Sequence, residues 1–301
     1  MTETCVQINE FTDPACPWAY SAEPFRRKLN WLYEGRLEWI PRMVVLAESA
    51  DEYREKGFTP EWIAESQRTF VREHRMPIDT RVRPRVAGTR EACLAVVSAR
   101  RYAEERQVRR LLRALRVRHF AGELLDERAT IERAGEDAGI AVANLRRWCD
   151  DPAVEADLRE DMRAAREPLP AARVLDHKLA NWSGGRRYTC PSYEITRIED
   201  GVTISVPGFQ PFAAYDVVLA NLVPGLERRR LPSSVEEVLA WAGTPLATQE
   251  VTVLCDLDFH DAREQLGRVA VERHVGADGF WTLTREAEAS TRERALDAVA
   301  A

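Results

Sequence analysis

The segment Cys16-Pro17-Trp18-Ala19 contains the residue best suited to chemistry. It has the spacing of a Cys-x-x-Cys redox pair, but Ala19 occupies the second cysteine position. A helix that begins at Pro17 would place Cys16 beside unpaired backbone N–H groups and the positive end of the helix dipole. Such a position lowers the pKa of a thiol and favours the nucleophilic thiolate. We therefore predict that Cys16 is a nucleophile, with an inert buried thiol as the alternative.

The alanine at position 19 limits what this thiol can do alone. Cys16 can form a mixed disulfide with a substrate, but the motif holds no second thiol to resolve it. Three alternatives remain open. A low-molecular-weight thiol such as glutathione or mycothiol resolves the adduct, another cysteine of the protein does so, or the chemistry is not redox chemistry.

The pattern of apolar residues predicts the elements that position Cys16. Alternation predicts strands, and helical spacing between such segments predicts the helices that connect them. An Asp-Gly pair at residues 200–201 favours a hairpin. The predicted order is a strand at 6–11, a helix at 22–33, a strand at 36–46, helices through about 51–168, a β-hairpin at 188–209 and a helix at 210–223.

One helix of the middle segment, residues 106–120, is rich in arginine. Its apolar positions fall on one face, and Arg109, Arg110, Arg113 and Arg116 fall mostly elsewhere. We expect these arginines to form a solvated helix face. Phosphate binding is the alternative.

Three segments together resemble the DsbA family of thiol-disulfide oxidoreductases, and in particular its FrnE-like branch. They are FTDPACPWAYSAEP, YTCPSYEI and VPGFQPFAAYDVVLANL, and the resemblance covers about residues 5–230. It implies an α/β thioredoxin-like fold with a helical insertion at about 51–170. It also implies thiol-disulfide exchange with a protein or small-molecule substrate, and a cis peptide bond before Pro191.

In this fold the residue before the cis-proline lies against the active-site cysteine, so the resemblance implies that Cys190 approaches Cys16. Our hypothesis is a displaced redox pair formed by these two cysteines, and the alternative is that Cys190 only lines the substrate loop. The resemblance further implies that Pro17, Trp18 and Pro191 bind substrate. We expect Trp18 and Tyr20 to line the mouth of the site.

Residues 231–301 form a separate predicted module. They contain 13 acidic residues and 6 arginines, so they account for the net charge of the chain, which is −6. Their predicted order of helices followed by a hairpin at 276–279 resembles a winged helix. Asp258 and Asp261 begin its expected recognition helix and would repel phosphate, so packing, dimerisation or partner docking is favoured over binding to nucleic acid.

The remaining expectations come from composition and spacing. The N-terminus lacks an apolar signal segment and no apolar run is long enough for a membrane span, so we expect a cytoplasmic protein that acts without a membrane. The six cysteines and five histidines show no metal-binding spacing, and Cys5, Cys93, Cys149 and Cys255 are expected to be packing residues. No cofactor is expected beyond a small thiol as co-substrate. A transferase or isomerase of the kappa glutathione transferase type and a non-enzymatic redox sensor are the alternative functions.

Overall fold

The computed structural model describes residues 3–289 and residue 291. A central four-stranded sheet has the strand order β2-β1-β5-β6. Strand β1 pairs with β2 in parallel and with β5 in antiparallel, so it lies inside the sheet, and β5 and β6 form the predicted hairpin. The four strands are β1 (Val6–Thr12), β2 (Leu37–Met43), β5 (Ser192–Arg197) and β6 (Thr203–Val206).

Three helices are close to this sheet in sequence, and seven more form the insertion between β2 and β5. The first three are α1 (Pro17–Ser21), α2 (Glu23–Leu32) and α10 (Phe212–Leu222). The insertion contains α3 (Ala50–Glu55), α4 (Pro60–His74), α5 (Arg90–Tyr102), α6 (Glu105–Phe120), α7 (Arg128–Asp137), α8 (Val142–Cys149) and α9 (Pro152–Arg166). The predicted helical segment is confirmed, apart from a stretch without helix at 75–89.

Helix α5 is the centre of the insertion. Eight consecutive residues, 92–99, are buried, because the sequence ACLAVVSA is apolar or small on every face of the helix. The apolar face of α6 packs on the same core, through Val108, Leu111, Leu112 and Leu115. The insertion therefore has a hydrophobic core of its own, which also includes Met43 of β2.

A second hairpin was not predicted. It is formed by β3 (Leu179–Trp182) and β4 (Gly185–Tyr188), and it follows a 3₁₀ helix at Pro170–Lys178. The predicted strand that started at Tyr188 therefore combined the end of β4 with β5. The sequence signal for this hairpin is the pair Gly184-Gly185, which forms its turn. Gly185 has a φ of 126°, a conformation that favours glycine.

The C-terminal residues form the predicted helices and hairpin. Their elements are α11 (Val235–Ala242), β7 (Leu246–Ala247), α12 (Thr248–Cys255), α13 (Phe259–Val269), β8 (Ala270–Val275) and β9 (Asp278–Leu283), with the sheet order β7-β9-β8. Buried residues of this module, including Val251, Leu254 and Trp281, share one core with Leu29 and Trp31 of α2. The predicted boundary at 230/231 lies in the loop between α10 and α11, while residue 290 and residues 292–301 of the module lie outside the described residues.

The expectation that the arginines of α6 face solvent is wrong for two of them. Arg113 is 7% exposed and Arg116 is fully buried. Their carboxylate partners are Glu10 in β1, Glu23 in α2 and Glu250 in α12. These partners come from distant parts of the sequence, so helical periodicity could not reveal them.

Seven buried or nearly buried side chains form a continuous chain in which arginine and glutamate alternate. In order of contact they are Arg26, Glu10, Arg116, Glu23, Arg113, Glu250 and Arg27. At its ends, Arg26 Nε lies 3.2 Å from Glu10 and Arg27 Nε lies 3.2 Å from Glu250. This ion-pair chain links the central strand, α2, the insertion and the C-terminal module.

Loss of the central arginine should destabilise the whole protein. In an Arg116→Met variant, Glu10 and Glu23 would be left in the interior with one cationic partner fewer each, and we expect a loss of about 3–5 kcal/mol in the free energy of unfolding. Urea denaturation measures this change. Arg163→Gln is the matched control, since Arg163 also contacts two carboxylates but on the exposed surface of α9. An unchanged midpoint for Arg116→Met would contradict the structural role of the ion-pair chain.

The ion-pair chain also predicts that the stability of the protein depends on pH. Burial alone would raise the pKa of Glu23, but Arg116 and Arg113 lower it from 4.5 to about 2. Because the folded pKa is the lower one, Glu23 stabilises the fold above pH 4.5, and this contribution is lost as the pH falls toward 2. A Glu23→Gln variant should be less stable than the wild type at pH 7, and urea titrations should show the difference shrinking between pH 4.5 and 2. A difference that stays constant over this range would contradict the lowered pKa.

Candidate functional site

Cys16 is the N-cap residue of α1, as predicted from the motif. Its backbone is extended, with φ −74° and ψ 116°, and its carbonyl accepts the first helical hydrogen bond from the Tyr20 N–H at 3.0 Å. Pro17 occupies the first helical position and has no N–H. The next backbone N–H groups, those of Trp18 and Ala19, are therefore the ones that interact with the Cys16 sulfur.

The fold brings Cys190 to Cys16, although 174 residues separate them in sequence. The Cys16 thiol donates a hydrogen bond to the Cys190 carbonyl oxygen at 3.2 Å, and both cysteines are free thiols. The Cys190–Pro191 peptide bond is cis. Ser192 fixes this loop, because its hydroxyl donates to the Thr189 carbonyl at 2.7 Å and accepts from the Gly208 N–H at 2.9 Å.

The two thiols have opposite tendencies to ionise. Burial opposes ionisation of Cys16, but hydrogen bonds from the Cys190 thiol and from the Ala19 and Trp18 N–H groups outweigh it, so the pKa of Cys16 is lowered. The pKa of Cys190 is raised well above its usual value, by burial first and then by its interaction with Cys16. Cys16 is therefore the thiol of this pair that ionises more readily, and the Cys190 thiol is one of the donors that favour its ionised form.

A buried carboxylate, Asp13, fixes the loop that carries Cys16. It accepts hydrogen bonds from the Ala15 N–H at 2.8 Å, the Leu46 N–H at 2.9 Å and the Thr89 hydroxyl at 2.7 Å. The Cys93 thiol also donates to it, at 3.4 Å. Asp13 therefore ties the end of β1 to the segment after β2 and to the start of α5, a role that sequence analysis did not assign.

The predicted substrate-binding residues differ in their exposure. Trp18 is 42% exposed, whereas Pro17 is half-buried and Pro191 is buried. Trp18 packs edge-on against Phe70 and His74 of α4, with ring centroids 4.9 and 5.3 Å away. Phe209 lies 5.4 Å from Trp18 and adds the loop after β6 to this aromatic group.

Two assignments at the mouth of the site need correction. Tyr20 does not line it, because its side chain is fully buried and donates a hydrogen bond to the Pro77 carbonyl. His74 was missed, since its distance from Cys16 in sequence hides its packing against Trp18. Burial lowers the pKa of His74, so the side chain is an uncharged part of the aromatic group near neutral pH.

The thiols are well covered. Cys16 is 5% exposed and packs in a cluster with Phe11, Leu179, Tyr188 and Cys190. The unpredicted β3–β4 hairpin contributes two of these residues, and Tyr188 stacks on Phe11 with ring centroids 4.4 Å apart. Little of the Cys16 side chain is therefore directly accessible to solvent.

No group of three or more His, Cys, Asp or Glu side chains within residues 3–289 and 291 could hold a metal ion. Among the same residues, none of the helices is both long and apolar enough to cross a membrane. Cys93 and Cys149 pack in or against the core of the insertion, and Cys5 and Cys255 pack against the core of the sheet.

Solved structures show the same fold. A probable DsbA oxidoreductase from Streptomyces coelicolor matches with a TM-score of 0.52 and 18% identity over 76% of this chain and 93% of that one. The cytosolic disulfide reductase DsbM from Pseudomonas aeruginosa matches with a TM-score of 0.50 and 14% identity over 72% of this chain and all of that one, 100%. A Nitrosomonas europaea protein with a provisional assignment as a protein disulfide isomerase matches with a TM-score of 0.54 and 16% identity over 72% of this chain and 97% of that one.

The chain has a DsbA-like thioredoxin fold. The predicted fold class is therefore confirmed, with extra helices and a small additional sheet. No protein-family model matches the sequence, and no curated protein matches it. At such low identities the likeness establishes the fold, and the function must be argued from the site.

The site predicts a specific effect of the Cys190 thiol on Cys16. A Cys190→Ala variant removes the hydrogen-bond donor and should shift the pH midpoint of Cys16 alkylation upward, whereas Cys190→Ser keeps a donor and should shift it less. Iodoacetamide labelling across pH, followed by peptide mass analysis, measures the midpoint. Equal midpoints in the wild type and Cys190→Ala would show that Cys190 does not stabilise the thiolate. Labelling that Cys16→Ser leaves unchanged would reject Cys16 as the most acidic thiol.

Proposed function

We propose that this protein is a thiol-disulfide oxidoreductase of the DsbA type that acts through Cys16, with Cys190 as its displaced partner. The observation that carries the proposal is the juxtaposition of the two thiols. Cys16 caps a helix and has a lowered pKa, and the backbone of Cys190 accepts its hydrogen bond at 3.2 Å. A low-pKa thiolate at a helix N-terminus is the attacking group that thiol-disulfide exchange requires.

In the first step, the Cys16 thiolate attacks one sulfur of a substrate disulfide. A mixed disulfide forms, and the other substrate sulfur leaves as a thiolate and takes up a proton. In the second step, the Cys190 thiol loses its proton and attacks Cys16 Sγ, which forms the Cys16–Cys190 disulfide and releases the second substrate thiol. The substrate gains two electrons and the two cysteines lose them.

The electrostatics of the pair suit this order of events. The negative charge on Cys16 is one of the causes that raise the pKa of Cys190. This cause disappears when Cys16 enters a mixed disulfide, while burial continues to oppose ionisation of Cys190. Resolution is therefore expected to be the slow step. A small thiol such as glutathione or mycothiol supplies the electrons that reduce the protein again.

We also propose that the C-terminal module is a winged helix that serves in packing and docking instead of binding DNA. Its order of helix, short strand, two helices and hairpin supports the winged-helix assignment. Asp258 caps α13, and Asp261 lies in its first turn, so the helix that would enter a DNA groove presents negative charge first.

Turnover of a disulfide substrate tests the proposal. The wild type should accelerate the reduction by dithiothreitol of two substrates, insulin and oxidised glutathione. The Cys16→Ser variant should show only the uncatalysed rate with both. After incubation with oxidised glutathione and no added reducing thiol, Cys190→Ser should accumulate a mixed disulfide on Cys16, detectable by mass analysis, because the resolving thiol is absent. Cys255→Ser is the control, since Cys255 lies in the C-terminal module and packs against the core that this module shares with the sheet.

Three results would contradict this assignment. A wild-type rate equal to the uncatalysed rate with both substrates would reject disulfide exchange. Cys16 and Cys190 that never crosslink after mild oxidation would reject the displaced pair and leave resolution to a small thiol. Conjugation of a thiol to an electrophile without disulfide turnover would favour a transferase of the kappa type.

A further inference from the structure

A large groove lies away from Cys16, where three parts of the protein meet. It has a volume of about 880 Å³ and is bounded by α2, α6, the loop after α11 and the C-terminal hairpin. A cavity of this size accommodates a small-molecule ligand. We call it the arginine groove, because the following side chains line it: Arg26, Arg27, Arg106, Arg109, Arg110 and Arg273.

The lining of the arginine groove is positive in a protein whose net charge is −6. Counting Arg113 and Arg118 as well, eight arginines and five carboxylates line it. Three further members of the ion-pair chain, Glu10, Arg116 and Glu250, do not line the groove. When they are added, the count is nine guanidinium groups and seven carboxylates. The lining residues and the ion-pair chain together therefore carry two more positive than negative charges.

The ion-pair chain explains part of this excess. It alternates four arginines with three glutamates, and both ends are arginines, Arg26 and Arg27, that line the groove. Two buried guanidinium atoms, Arg26 Nη2 and Arg113 Nη1, have no acceptor within hydrogen-bond distance among the described residues, although Arg113 Nη1 lies 3.7 Å from Glu23 in the ion-pair chain. Both residues are only 7% exposed. Buried donors without an acceptor are rare in folded proteins and call for an explanation.

Three other arginines that line the groove are not engaged by carboxylates of the described residues. Within the part of the chain that the structure describes, Arg106, Arg110 and Arg273 form no ion pair with a carboxylate. Arg110 Nη2 lies 4.0 Å from the position that a Cβ atom of Gly243 would occupy, so Arg110 extends across the groove to the C-terminal module. The pKa of Arg109 is lowered, by burial first and also by the positive charges of Arg26 and Arg106, against the effect of Glu105.

We propose that the arginine groove binds a small molecule that carries a phosphate or diphosphate group. Guanidinium groups recognise phosphate oxygens in pairs, and several of them converge here from α2, α6 and β8. An anion in the groove would neutralise the excess charge and connect the insertion to the C-terminal module. The inference is independent of the thiol chemistry at Cys16.

Calorimetric titration of the full-length protein with inorganic pyrophosphate and with ADP tests the proposal. Both should bind, with an affinity that falls as NaCl is raised, and both should raise the melting temperature. Equal affinities would show that the protein recognises only the diphosphate. Tighter binding of ADP would show a further contact with the nucleoside, and the Trp241 indole, which lines the groove, is available for it.

The double variant Arg106→Gln/Arg110→Gln should lower the affinity for pyrophosphate at least about tenfold, since each charge-assisted hydrogen bond to phosphate contributes about 1.5–3 kcal/mol. It breaks no ion pair among the described residues, so the fold should persist, as circular dichroism will show. The matched control is Arg72→Gln/Arg147→Gln, because these two exposed helix arginines contact only neutral side chains. An equal loss in the control, or no binding of either probe at millimolar concentration, would overturn the proposal.

Discussion

The ion-pair chain from Arg26 to Arg27 is the constraint on which the arrangement of the molecule depends. Its members come from β1, α2, α6 and α12, and every internal member contacts two partners of opposite charge. Charges in the interior are tolerated only when each is paired, so the four elements must keep their relative positions. The thioredoxin-like sheet, the insertion and the C-terminal module are thereby held together by one electrostatic network.

This network also reaches the loop that carries Cys16. Arg116 donates to the Thr12 hydroxyl at 2.6 Å and holds the end of β1, which Asp13 and the Cys16 loop follow directly. Asp13 then fastens this loop to α5 through Thr89. The position of Cys16 is therefore set by buried polar contacts on both sides of the strand end.

The two clusters of charged or ionisable groups, at Cys16 and in the arginine groove, have opposite signs. At Cys16, hydrogen-bond donors from a helix start and from Cys190 stabilise one negative charge in a covered site. In the arginine groove, guanidinium groups outnumber carboxylates and face a cavity large enough for a ligand. Cys16 begins α1, and the next helix, α2, supplies Arg26 and Arg27 to the groove, so neighbouring helices contribute to both clusters.

The sequence by itself determined the local features. These include the strand before Cys16, the helix start at Pro17, the Asp-Gly hairpin and the helical order of the insertion, because periodicity, capping and turn chemistry are properties of neighbouring residues. The three-segment resemblance extended this to the fold and to the approach of Cys190. Only the tertiary structure decided that Arg113 and Arg116 are buried, that Tyr20 is core, that His74 packs on Trp18 and that β3 and β4 cover the thiols. These outcomes depend on partners far away in sequence, whose charges and shapes no local pattern contains.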